Sequence, residues 1–285
     1  MKLVRFLAGG AERMGVLEGD TVYEVDGFFD TTTRGVSYRL SEIRLLAPLV
    51  PSAIFCALVN TPRMLGVEDK ETARNMLGPP KFFLKLPHVV SNPGDVVKAP
   101  PTGIRPEVEI GVVVKNKLKN ATPQDVRSAI FGYTVVNDVT APGEFPKDFY
   151  YAYRRDPADG KVKMMLIRGP HFRNKNRDGF APMGPWIVTA DELPSISGLK
   201  MRSFYNGVLI QEGTTDEFIY GVEELLVELS KVLTVPPNSV VCSGTVGYVG
   251  AEDPSEYRLQ PMEIVMTAEV EKIGRLENVV VIEQV

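Results

Sequence analysis

Residues 105–114 read RPEVEIGVVV, and their order decides what kind of chain this is. In extended backbone successive side chains leave opposite faces, so Glu107 and Glu109 share one face while Val108 and Ile110 leave by the other. The run Ile110–Val114 is almost unbroken apolar chain, the pattern of a strand inside the protein rather than of a wet edge. Two carboxylates on such a strand are expensive. At about 5 Å and an effective dielectric of about 20 they repel by about 3 kcal/mol, so one takes up a proton or a cation sits between them. A third acid, Asp138, closes the strand-like FGYTVVND of residues 131–138. Three oxygen donors suit a hard divalent ion such as Mg2+, Mn2+ or Ca2+ rather than zinc. Solvated glutamates on an ordinary strand, with an aspartate in a turn, also produce this pattern, and the residues by themselves leave both readings open.

The rest of the chain is consistent with a small-molecule protein. It has 285 residues, 44% hydrophobic and 24% charged, enough for about two domains with a real core. Its 32 Lys and Arg against 36 Asp and Glu leave a net charge of −4, which argues against a dedicated nucleic-acid binder. The 25 glycines and 22 prolines imply many turns and favour β structure. Cys56 and Cys242 stand in apolar surroundings with no CxxC pair and read as buried thiols of a reducing compartment. With only His88 and His171, a three-histidine zinc site is impossible, and His88, beside Pro87, reads as structural. The N-terminal MKLVRFLAGGAERMG is interrupted by charge, and the most apolar window, Leu45–Val59, is short and contains Pro48 and Pro51. No signal peptide or membrane span is therefore expected, and the cytoplasm is the expected location.

Residues 1–50 read as a small N-terminal β module, beginning with a meander through KLVRFLA, RMGVLE and TVYEVDG. Residues 51–285 form the main unit. Within it VEDKETARNML suggests an exposed helix, a lid candidate, and TPQDVRSAIFG a short helix capped by Thr122 and ended by Gly132. A longer helix is expected from about Asp216 to Leu233, with Thr214 and Glu217 in capping-box spacing and its apolar face on a sheet. EIGVVV, FGYTVVND, PWIVTA, FYNGVLIQE, NSVVCSG and EIVMTAEV all have strand character. The expected fold class is α+β with β dominating.

RPEVEIGVVV, GYTVVNDVTA, DGFAPMGPWIVTADEL, YNGVLIQEG, VVCSGTVGYVG and IGRLENVVV, in this order from about Phe55 to Val281, resemble the fumarylacetoacetate hydrolase family. The resemblance implies the β-rich roll or sandwich of that family's C-terminal domain, a homodimer, and action on small 2-oxo acids and related dicarbonyl compounds. It implies that Glu107, Glu109 and Asp138 bind Mg2+ or a similar ion, and that Lys175 of NKNRDGFAPMGP is a catalytic lysine. It also places Asn60, Lys85, Asn206, Gly207, Gln211, Gly244 and Thr245 in the substrate-pocket region.

In one place the chain departs from that pattern. Hydrolases of the family carry a water-activating histidine and glutamate in the lid, where this chain has VNTPRMLGVED with Met64 and Val67 at those positions. Glu68, one place later, and His171, in a long segment ahead of Lys175, are the candidate stand-ins. From Pro142 to Asp178 there are nine Lys or Arg against five Asp or Glu, an excess that attracts an anionic substrate. Gly244, Gly247 and Gly250 do not form a nucleotide loop, since no GxxxxGK[ST] is present and AEDPSEY starts no convincing helix. The expectation is thus a metal-dependent enzyme working through a metal-stabilised enolate, of lyase type (dehydratase, decarboxylase or isomerase) or a C–C hydrolase. The rival is a catalytically silent relative that binds a metal and a small acid or serves as an assembly partner.

Overall fold

The computed structural model describes residues 1–28, 31, 34–250 and 264–283. In chain order its main elements are β1 (Lys2–Ala8), β2 (Ala11–Glu18), β3 (Thr21–Val25), β4 (Ser37–Arg39), β5 (Arg44–Leu46), β6 (Ile54–Ala57), α1 (Lys70–Leu77) and β7 (Phe82–Lys85). There follow β8 (Val90–Ser91), β9 (Val96–Ala99), β10 (Val108–Val114), α2 (Pro123–Ala129), β11 (Ile130–Asn137), β12 (Tyr150–Arg155), β13 (Val162–Ile167) and β14 (Ala181–Thr189). The chain continues through β15 (Lys200–Tyr205), β16 (Val208–Thr214), α3 (Val222–Val232), β17 (Ser239–Cys242), β18 (Ile264–Val270) and β19 (Gly274–Ile282). The fold is α+β and β-dominated, as expected.

A 12-stranded mixed sheet runs β4-β3-β2-β1-β14-β11-β10-β17-β6-β7, with β5 on β1 and β8 on β14. A second sheet runs β16-β15-β18-β19-β9, and β12 pairs with β13. The N-terminal meander forms as read, but its first strand hydrogen-bonds to β14, Lys2 opposite Val188, so these strands extend the main sheet. β10 lies between β11 and β17, and every residue in it is buried. Val108, Ile110, Val112 and Val114 join the core under α3, whose Val222, Leu226 and Leu229 face them, while Val113 joins the core on the other side. Each such buried leucine contributes about 2 kcal/mol.

Two helix boundaries differ from the sequence reading. α2 is capped by Thr122 and carries Pro123 in its first turn, yet it ends at Ala129, and Ile130 passes directly into β11. Gly132 is no helix stop. It lies inside the strand, where a Cβ would come within 2.3 Å of the Val188 carbonyl oxygen. The Thr214–Glu217 capping box also forms, but on a single 3-10 turn, and α3 starts only at Val222. Helix α1, the lid candidate, is capped by Asp69, which accepts from the Thr72 N–H at 2.8 Å. AEDPSEY lies outside the described residues. Cys56 and Cys242 are buried free thiols, register partners on the adjacent strands β6 and β17. Among the described residues no helix is long and apolar enough to cross a membrane.

Candidate metal-binding active site

The register of β10 on β11 assembles the acids. Val108 pairs with Asn137 and Glu109 with Val136, and one residue beyond β11 the Asp138 N–H donates to the Glu107 carbonyl at 2.8 Å. Asp138 is thereby set across from Glu107, and Glu107, Glu109 and Asp138 each offer an oxygen within 4.8 Å of the others. All three are buried, with exposures of 5%, 1% and 0%. Glu107 and Glu109 border a cavity of about 380 Å³ shared with Met64, Arg105, Thr140, Phe145, Arg168, His171, Lys175 and Thr245.

The chain supplies its own cations here. Lys175 Nζ donates to Glu107 Oε2 at 2.6 Å and to Asp138 Oδ2, and Arg105 Nε donates to Glu107 Oε1 at 2.8 Å. Although burial opposes the charged form, these cations hold Glu107 down at about 2, and the two carboxylates hold Lys175 above the ordinary lysine range. Glu109 is different. It accepts the Gly244 N–H at 2.8 Å, and burial, with Asp138 nearby, pushes its carboxyl well above the usual glutamate range. Gly244 reaches it at φ +83°, in a place where a Cβ would stand 2.6 Å from that of Asn60. Asp138 Oδ1 lies 2.8 Å from Lys85 Nζ but accepts no hydrogen bond, because that ammonium donates to the carbonyls of Val139, Lys175 and Phe180. Three buried carboxylates with oxygens within 4.8 Å of one another, one of them resisting ionisation, are a donor set that fits a hard divalent cation.

The electrostatics give a pH dependence. Without metal, Glu109 stabilises the fold below the ordinary value near 4.5, and this contribution is lost as pH rises through its raised folded value. Glu107 works the other way: its contribution is present above 4.5 and is lost as pH falls toward about 2. A divalent ion must displace the Glu109 proton, so its affinity rises with pH. Thermal melts with and without Mg2+ are expected to show a larger metal-induced rise in Tm at pH 8 than at pH 5.5; an equal rise would remove Glu109 from the ligand set.

Other residues singled out from sequence have structural posts. Asn60 is fully buried, donating to the carbonyls of Tyr220 and Ser243 at 2.9 and 2.7 Å and accepting from the Tyr220 N–H at 2.8 Å. Although it borders the cavity, its amide is spent on pinning the chain ahead of the lid to two loops. Asn60→Ala leaves three buried backbone groups unpaired at about 1–3 kcal/mol each, so denaturant melts are expected to show a loss of about 3 kcal/mol or more. Gln211 likewise bonds the Val108 N–H, Ser203, Thr245 and the Val246 carbonyl, and does not border the cavity. Thr245 borders the cavity, but its hydroxyl donates to the Val108 carbonyl at 2.9 Å. Asn206 and Gly207 form the turn between β15 and β16, with φ +47° and +80°, and do not border the cavity. Glu68 is exposed on the bend before α1 and is absent from the cavity wall, while Met64 is at the wall. His88 is exposed.

His171 borders the cavity, half-buried, stacked on Phe145 with ring centres 4.0 Å apart. Burial and the Lys175 charge lower its pKa, so it is neutral near pH 7. Arg105 and Arg168 were missed from sequence. Arg105 had a signal, since it shares strand parity with Glu107 and Glu109; Arg168 had none beyond the local cationic excess.

The model of the fumarylacetoacetate hydrolase C-terminal domain matches residues 53–281. The chain belongs to the fumarylacetoacetate hydrolase family. The Rv2993c-like N-terminal model matches residues 1–48. Among relatives, the Bacillus subtilis oxaloacetate tautomerase YisK is 28% identical over 85% of this chain and 74% of its own. An Escherichia coli homoprotocatechuate catabolism bifunctional isomerase/decarboxylase is 31% identical over 72% of this chain, which spans only 42% of that protein. Fumarylacetoacetate hydrolase from Exiguobacterium antarcticum superposes with a TM-score of 0.79 at 26% identity, over 99% of this chain and all of that one. Maleylpyruvate hydrolase from Sphingobium, solved with manganese(II) and pyruvate, superposes with a TM-score of 0.73 at 22% identity over both chains in full, a likeness of fold. Relatives of this chain are thus enzymes of several reaction types.

Proposed function

We propose that this protein is a divalent-metal-dependent enzyme acting on a small 2-oxo acid by proton transfer, dehydration or decarboxylation rather than by hydrolysis of a C–C bond. The observation that carries the reading is the convergence of three buried carboxylates, one of them resisting ionisation, beside a cavity of about 380 Å³. The related hydrolase solved with manganese(II) and pyruvate supports the same pairing of metal and substrate class. Mg2+, Mn2+ and Ca2+ all suit the donor set.

Glu107, Glu109 and Asp138 would hold the ion, which supplies positive charge that polarises a keto carbonyl and acidifies the neighbouring C–H. Lys175, kept protonated by two carboxylates, donates to the oxygen on which charge develops. Arg168 at the cavity wall has no acidic partner among the described residues and attracts the substrate carboxylate. His171, neutral near pH 7 and with Nδ1 3.2 Å from the Asn174 amide, has Nε2 to exchange a proton. The preference against hydrolysis comes from the lid, where Met64 meets the cavity and Glu68 faces solvent, so no carboxylate of that segment activates water. The same contacts favour a second reading: Lys175 already spans Glu107 and Asp138, as in a silent relative whose acids are neutralised from within.

Assaying a panel of 2-oxo acids with Mg2+ or Mn2+ and then with chelator separates the two. Turnover that chelator removes is expected, and metal binding without any turnover would establish the silent relative. A small anionic substrate, a homodimer and the cytoplasm remain part of the proposal.

A further inference from the structure

We propose that the substrate carries an apolar or aromatic group on the carbon chain of its 2-oxo acid, received by a second cavity on the far side of His171. This rests on the reading of the acidic cavity as a 2-oxo acid site and deepens it by naming the substrate class. The second cavity also measures about 380 Å³; its wall includes Leu58, Phe82, Phe83, Leu86 and Phe172, and among the described residues no Lys, Arg, Asp or Glu lines it. Leu58 and His171 line both cavities.

His171 and Leu58 stand where the two cavities meet. His171 lies flat on Phe145, which faces the acidic cavity, and meets Phe83, which faces the apolar one, at a centre-to-centre distance of 6.1 Å. Lys175 Nζ sits 4.7 Å from the centre of the Phe83 ring, so the apolar wall begins beside the ammonium that contacts Glu107 and Asp138. His171 is set in this position at φ +40°, a conformation L residues rarely take. The next two N–H groups, of Phe172 and Arg173, hold the turn by donating to Asp148 Oδ2 at 3.0 and 2.9 Å.

The chemistry of the wall selects the occupant. A carboxylate entering it would lose hydration and meet no cation, whereas an alkyl or aryl group gains by leaving water. Leu84 and Phe172 line this cavity while 55% and 54% exposed, apolar surface that such a group would cover. For a phenyl-sized group the gain is about 10- to 50-fold in affinity.

Calorimetric titration of the Mn2+-loaded protein with pyruvate, 2-oxoglutarate and phenylpyruvate tests this. Phenylpyruvate is expected to bind about 10- to 50-fold tighter than pyruvate, and tighter than 2-oxoglutarate. Phe172→Asp and Leu84→Asp, both exposed positions, are each expected to remove most of that gain while leaving Mn2+ and pyruvate affinity unchanged. Phenylpyruvate binding no tighter than pyruvate overturns the inference and leaves the 2-oxo acid reading standing. If Leu84→Asp then also converts a dimer to a monomer in sedimentation, the face belongs to a second copy of the chain. Failure of Mn2+ or pyruvate to bind overturns the reading of the acidic cavity and this inference with it.

Discussion

Replacing Glu109 with glutamine is expected to abolish metal-dependent turnover, lowering kcat/KM by at least about 100-fold, while the fold survives. Losing a direct ligand should cost at least as much as losing an outer partner of one, which lowers affinity or activity by about 10- to 100-fold. The fold survives because the glutamine oxygen can accept the Gly244 N–H that Oε2 now accepts at 2.8 Å. It loses nothing else of value, since the carboxylate it replaces is buried beside Asp138 and resists ionisation. The metal-free variant is therefore expected to melt at or above the temperature of the parent at pH 8, where the parent carries that burden most fully. Unchanged activity in Glu109→Gln would remove this residue from the ligand set, and a collapsed fold would show that it has a structural role the contacts above do not contain.

The second large effect concerns Lys175, where stability and metal affinity are expected to move in opposite directions. Lys175→Ala removes the cation that contacts both Glu107 and Asp138, in a place where all three side chains are at most 6% exposed. Breaking a buried pair from one side costs about 3–5 kcal/mol when the remaining charge is left uncompensated, and the low end applies here because Glu107 keeps Arg105 and Asp138 keeps Lys85, each at 2.8 Å. The metal-free variant should be destabilised by about that amount in denaturant melts. A divalent ion then enters a more negative site, so its affinity should rise and the melting temperature should recover more steeply on Mg2+ addition than in the parent. Turnover should fall with little change in KM, as for a donor used mainly when charge develops on the substrate. Weaker Mg2+ binding by the variant would mean that Lys175 helps to organise the ion site and does not compete for it.

Both outcomes turn on features that differ in how far they can be read from the chain. Strand parity is local, so the shared face of Glu107 and Glu109 and the interior placement of Ile110–Val114 follow from residues 105–114 directly. The same parity also puts Arg105 on that face, although the pattern alone does not single it out. The Thr122 cap and the Thr214–Glu217 box are also local, and both form. Where those helices run is not local. Gly132 resembles a helix stop until β14 comes alongside and the Val188 carbonyl occupies the space a side chain would need. Residues 216–221 look continuous with α3, and only their packing makes a separate 3-10 turn of the first of them.

What the sequence determined by itself was the β-dominated fold, the membership of a family, and the three acids of one site, because alternation, capping chemistry and motif order are written along the chain. What only the tertiary structure decided was which polar groups are spent. Asn60, Gln211 and Lys85 carry the same hydrogen-bonding capacity in any fold, yet here backbone carbonyls and N–H groups from distant segments consume most of it, and Asp138 Oδ1 keeps only an ion pair with Lys85. The apolar cavity behind His171 is of the same kind, since it exists only where Leu58, residues 82–86 and the turn at Phe172 meet. The physical reason is that a side chain's chemistry is intrinsic, whereas its availability depends on neighbours that the chain brings together only by folding.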